Sequence, residues 1–124
     1  MPNWSPNWND VRWNWAAADA AAAALHNAAG VLDATANERA GVASEAQAEW
    51  RGIFRDRFDA ELAGMLSRGR ALADECRAAA ERVASASNRA ANEQRHREHE
   101  RERWRREKEE EDRRRREEER RRHR

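Results

Sequence analysis

The most regular feature of this chain is a four-and-three spacing of small and apolar residues. Val11, Trp15, Ala18, Ala22, Leu25, Ala29, Leu32 and Ala36 follow one another in those steps, an a/d heptad pattern held for nearly four repeats. The positions between them are mostly alanines, with Asp19, His26, Asn27 and Asp33, so the pattern predicts a helix with one narrow apolar stripe and a wet opposite side. A second series, Phe54, Phe58, Leu62, Met65, Gly69, Leu72, Cys76, Ala79, Val83, Ala86 and Ala90, predicts a second helix. Its bulky residues come first, where Phe54 and Phe58 are expected to fill the space left by Ala29 and Ala36. A buried Phe contributes about 1.5–3 kcal/mol, so these two are expected to dominate the stability of the pair.

Helix ends follow from capping chemistry. Pro2 and Pro6 keep the first residues out of a helix interior, and Asn7 or Asn9 with Asp10 offers a cap for a helix starting near residue 8. Asn37 to Gly41 reads as its end, with Gly41 at or near the left-handed C′ position. Ser44 to Gln47 reads as a capping box that opens the second helix just before Trp50. A turn this short sets the two helices antiparallel.

From Glu93 the apolar stripe stops, and only Trp104 interrupts a run of Arg, Glu and His. Glu109, Glu110, Glu111 and Asp112 each precede an arginine by four residues, and Glu117 and Glu118 repeat this with Arg121 and Arg122, the favourable orientation on a helix. The tail is therefore expected to continue the second helix as a solvated, fraying single helix. The fold class is all-α: an antiparallel two-helix hairpin over residues 1–92 with a long charged C-terminal helical extension over residues 93–124.

Composition narrows this picture. Of 124 residues, 40% are charged, and alanine supplies most of the 39% that are hydrophobic, which points to thin helix packing and excludes a thick core or a sheet. The net charge is +1, with 15 Lys/Arg against 12 acids from residue 93 onward, so no strongly basic face marks a nucleic-acid module. The arginine runs at 113–116 and 120–122 carry interleaved glutamates that cancel much of their field, so a solvated spacer is the expected role. The start MPNWSPNWND lacks a cationic n-region, so no secretory signal peptide is expected there, and no run approaches the roughly 20 apolar residues of a membrane span.

Candidate chemistry is sparse. Gly-rich phosphate loops, Ser/His/Asp sets and paired carboxylates in a pocket are absent, so no enzymatic activity and no cofactor are expected. His96 and His99 stand three residues apart but lack companion ligands, and read as solvated histidines. Cys76, the single cysteine, falls on the stripe as a small core residue. Trp8, Val11 and Trp15 share the first stripe and are expected to close the open end of the hairpin against Val83 to Ala90. Trp4 and Trp13 lie off it and read as anchors for a partner.

Trp50-Arg51-Gly52 sits between the two amphipathic segments, and on that placement the chain resembles the WXG family of small helical-hairpin proteins handled by the type VII (ESX) secretion system. The resemblance covers roughly residues 8–92 and carries over to Trp50 and Gly52. It implies that Trp50 packs across the helix ends, that Gly52 lets the chain turn closely, and that the protein is a substrate, partner or adaptor of such a system, exported without a signal peptide and cytoplasmic beforehand. Leader domains of actinobacterial polymorphic toxins belong to the same group, and the Ala-, Arg- and Trp-rich composition suits a high-GC bacterial source. The family's export signal pairs a Tyr with an acidic residue four positions on; this chain has no tyrosine, and Arg89 with Glu93 or His96 with Glu100 are the nearest stand-ins. In this family one member of a pair can carry the signal for both.

Association is also expected on physical grounds, because a lone hairpin buries too little apolar area to offset about 1–2 kcal/mol of chain entropy per residue. A homodimer, or a heterodimer with another WXG-type protein, would form a four-helix bundle through Trp8, Val11, Trp15, Leu25, Leu32, Phe54, Phe58, Leu62, Met65, Leu72 and Val83. The alternatives are a structural coiled-coil protein without a secretion role and an arginine-rich nucleic-acid binder.

Overall fold

The computed structural model describes residues 1–123 and is all-helical. Helix α1 spans Trp15–Gln47 and α2 spans Ile53–Arg122, with no strand among the described residues. The chain forms two compact units: residues 14–86, and residues 1–13 with α2 from Ser87 onward. The expected boundary at residue 92 had assigned the first thirteen residues to the hairpin.

In the first unit α1 begins at Trp15 rather than near residue 8. Asn14 is the N-cap, its backbone extended and its side-chain oxygen accepting from the Ala17 N–H at 3.0 Å. The helix then runs past its expected end at Gly41 and through the segment read as a capping box. Gly41 keeps ordinary helical backbone; the positive φ falls at Gly52 alone among the described residues. The stripe explains the extension, because it continues from Ala36 through half-buried Ala40 to buried Ala43 and half-buried Gln47. Ending at residue 41 would uncover Ala43.

The α1 stripe lies where the periodicity places it: Ala18, Ala29 and Ala36 are buried, and Trp15, Ala22, Leu25 and Leu32 half-buried. The α2 stripe is rotated from the expected one. Leu62, Gly69, Cys76 and Val83 are common to both, but Leu66, Ala73 and Ala80 take the inward positions in place of Met65, Leu72 and Ala79. Ala73 is 0% exposed while its neighbour Leu72 is 48% exposed. The reason is the partner surface: methyl-sized residues on α1 admit methyl-sized residues on α2, and larger side chains are displaced to the flanks.

The antiparallel pairing is read from Asp33 bonded to Arg77 and Gln47 bonded to Asp59. Residues 48–52 make the turn, closed by the Ala48 N–H to Glu45 O at 3.4 Å and the Trp50 N–H to Gln47 O at 3.3 Å. Gly52, at φ +107°, passes the chain into α2, and its carbonyl accepts from the Asp56 N–H at 3.2 Å.

The two glycines predict opposite outcomes. Gly41→Ala, in helical backbone with nothing near the added methyl, raises stability by about 0.5–1 kcal/mol. Gly52→Ala, in the left-handed region, lowers it by about 1–2 kcal/mol. Thermal melts followed by circular dichroism distinguish the two signs.

Candidate protein-association surfaces

Two surfaces, one in each unit, gather most of the exposed apolar and hydrogen-bonding side chains described below.

The hairpin unit leaves its largest apolar side chains outside. Every buried apolar residue in it is an alanine, while Val42 is 64% exposed and Phe54 69% exposed, with Val31, Ile53, Met65 and Leu72 also exposed. Near the turn Val42 and Met65 line a groove between the helices, walled by Thr35, Glu38, Val42 and Ala46 on α1 and Phe58, Glu61, Leu62 and Met65 on α2. Spacing extends the walls: Val31, Thr35, Glu38 and Val42 stand four, three and four residues apart, as do Phe54, Phe58, Glu61 and Met65. Trp50 caps this end, its ring 5.3 Å from that of Phe58 at 49°, while its carbonyl accepts from Arg55 at 3.0 Å.

These positions revise part of the sequence reading. Phe54 does not fill space beside Ala29 and Ala36, because the register set by Asp33 with Arg77 and Gln47 with Asp59 places those alanines near Ala80 and Ala73, several turns away, and leaves Phe54 level with the end of α1. Phe58, Leu62, Leu25, Leu32 and Val83 are half-buried, and Met65 and Leu72 lie exposed on the flank. Trp50 and Gly52 both fall in the turn.

In the other unit residues 1–13 run as an extended segment antiparallel to α2 and are held by its side chains. The Trp104 Nε1–H donates to the carbonyl of Trp4 at 3.0 Å, and the Trp4 Nε1–H donates to Glu107 at 2.6 Å. Arg101 spends its whole guanidinium on the segment: Nε to Asn7 O at 2.9 Å, Nη2 to Asn9 O at 2.7 Å, and Nη1 to the Asp10 carboxylate at 2.9 Å. Arg97 adds a bond to Asn9 O at 3.2 Å. The Gln94 amide donates to Asp10 at 3.0 Å and accepts from the Val11 N–H at 2.8 Å. Finally the Trp13 Nε1–H donates to the buried Ser87 hydroxyl at 3.0 Å.

Aromatic contacts reinforce this clasp. Trp8 and Trp104 meet edge to face with centroids 5.3 Å apart, an arrangement worth about 0.5–1.5 kcal/mol beyond area burial. Arg103 lies over Trp4 at 4.4 Å and Arg105 over Trp8 at 5.5 Å, each adding about 0.5–1 kcal/mol at such exposed sites.

The clasp corrects three expectations. Trp8 packs on Trp104 rather than against Val83 to Ala90, and Val11 bonds to Gln94. Trp4 and Trp13, read as outward anchors, are engaged within the chain. The tail is not a bare solvated helix, because Ser87 to Glu111 carries the segment; of the ion pairs expected beyond residue 108, Glu110–Arg114 closes to 4.0 Å. Two signals in the sequence mark this site. The four-and-three steps do not end at Ala90 but continue through Gln94, Arg97, Arg101, Trp104, Lys108 and Glu111, with polar residues in the inward positions. The segment itself repeats as Pro2-Asn3-Trp4-Ser5 and Pro6-Asn7-Trp8-Asn9.

No helix among the described residues is long and apolar enough to cross a membrane, and none of their His, Cys, Asp and Glu side chains gather in groups of three or more that could hold a metal ion. The fold and the two surfaces define an all-α chain of two helices. Comparison with protein-family models, with curated proteins and with solved structures gives no match.

Arg101→Ala removes the bonds to Asn7, Asn9 and Asp10 together and weakens the clasp by about 2–3 kcal/mol. Limited proteolysis within residues 1–13 accelerates, while helix content by circular dichroism is unchanged. The Asp10 carboxyl lies below its ordinary value, held there by its hydrogen bonds from Gln94 and Arg101. Because the clasped value is the lower one, its contribution is complete above the ordinary carboxylate range and is lost as pH falls through the clasped value. The difference in proteolysis rate between the native chain and Asp10→Asn is therefore largest at neutral pH and vanishes in strong acid.

Proposed function

We propose that this protein is a non-enzymatic association module of the WXG type, a helical hairpin that pairs through its apolar flank into a four-helix bundle and serves as substrate, partner or adaptor of a type VII (ESX) secretion system. The observation that carries the reading is the inversion of side-chain size. The seam between the helices holds alanines, and the residues large enough to drive association face outward. A patch of this kind, rimmed by Glu38, Arg39 and Glu61, is what an association surface presents.

A symmetric pair places the same apolar groove of each copy against the other, with Glu38, Arg39 and Glu61 at its rim. The turn motif Trp50-Arg51-Gly52 supports the family reading, with Trp50 against Phe58 at the edge of the same groove. In this reading the chain leaves the cell without a signal peptide, as a member of a pair, and is cytoplasmic until then.

Val42→Asp and Met65→Asp, both on exposed positions that leave the seam intact, weaken self-association about tenfold or more. Sedimentation equilibrium of the full chain checks this; an unchanged association constant refutes the role of this face. Trp50→Ala separates the secretion role from that of a coiled-coil structural protein. Loss of export or of binding to a co-expressed partner supports the first, and unaltered localisation and association support the second.

A further inference from the structure

The clasp has the chemistry of a receptor and its ligand. A segment without secondary structure of its own presents carbonyls at Trp4, Asn7 and Asn9, and α2 answers with donors from Trp104, Arg97 and Arg101. Two indoles spaced four residues apart on the segment then dock beside Trp104 and Arg103. Helix side chains here read main chain, extension and indole spacing together, as peptide-binding surfaces do.

We infer that the α2 face of Gln94, Arg97, Arg101 and Trp104 is a binding site for an extended Pro-Asn-Trp segment, and that its intermolecular occupant is residues 1–13 of a second copy of this chain. The same contacts form whether the segment comes from its own α2 or from a neighbour's. Only the backbone beside Asn14, the extended N-cap between the segment and α1, has to take a new setting. Exchange of an identical element across such a joint is an inexpensive route to linking chains. Within one chain the effective concentration of the segment is on the order of millimolar, so the closed form prevails until copies are concentrated or held together. The inference concerns a different surface from the hairpin groove and stands whether or not that groove pairs.

Two full-length variants test it. Trp4→Ala with Trp8→Ala removes the segment's indole contacts and makes it easier to displace from the α2 site; Arg97→Ala with Arg101→Ala disables the site and leaves the segment free. The first chain is labelled with nitrogen-15, and its Trp104 indole resonance is followed while the second, unlabelled chain is added. The expected result is a saturable shift of the Trp104 signal, reproduced by a synthetic peptide of residues 1–13 and absent when the added chain carries the segment substitutions too. No shift up to millimolar concentration overturns the inference, even if sedimentation shows the hairpins associating. A shift equally large with the segment-disabled chain also overturns it, since contact would then come from elsewhere.

Discussion

The closeness with which α1 and α2 approach in the hairpin governs much else in this structure. Ala18, Ala29, Ala36 and Ala43 on one helix and Ala73 and Ala80 on the other are its buried apolar residues. Methyl groups allow the backbones near contact, but each methyl removed from water is worth only about 0.8 kcal/mol. A seam of this kind aligns two helices without holding them strongly. Where Ala73 and Ala80 meet α1 it also has no room for larger side chains, and Leu72, beside Ala73, is left on the flank. The association proposed above is the other side of that constraint: a molecule that cannot cover its large apolar residues from within has them free to be covered from without.

The two units solve different pairing problems with one spacing. In the hairpin the inward positions of α2 are small or aliphatic, and what packs on them is a helix whose backbone bonds are already satisfied. From Ser87 onward the inward positions become Gln94, Arg97, Arg101 and Trp104, and what packs on them is an extended segment whose carbonyls and N–H groups need partners. A chain without its own ladder of hydrogen bonds can be held only by side chains that donate and accept. The polar residues in those positions, which look like a decayed heptad, are thus the appropriate ones for an extended occupant.

Much of this was legible in the sequence. The all-α class, two helices and the α1 stripe from Trp15 to Ala36 follow from periodicity, because alanine-rich helices with one apolar face have few alternatives; the turn, at residues 48–52, lies later than the helix end read at Gly41 and the capping box read at Ser44 to Gln47. The α2 stripe was readable only to within one residue. Met65 beside Leu66, Leu72 beside Ala73 and Ala79 beside Ala80 are all apolar, so spacing alone admits two faces, and the usual preference for the bulkier one fails against an alanine partner. Gly41 misled for a similar reason: its left-handed freedom is a licence rather than an obligation, and the continuing stripe overrode it. The clasp was hidden because the contacts that make it, from Trp13 with Ser87 to Met1 with Glu111, join residues some 74 to 110 positions apart, beyond any local pattern. Of the cap candidates there, the Asn7 side chain accepts from the Asn9 N–H and the Asp10 carboxylate from Gln94 and Arg101.

The turn at Gly52 and the strict heptads on either side of it bear on how this chain tolerates change in length. Adding or removing one residue within α1 between Leu25 and Leu32 would swing everything downstream by about 100°, turning Ala36 and Ala43 outward and bringing charged residues to the seam. A gain or loss of seven would preserve the face. Lineages of this hairpin are therefore expected to differ in length by whole heptads within the helices, and by single residues only in the loop that Gly52 closes.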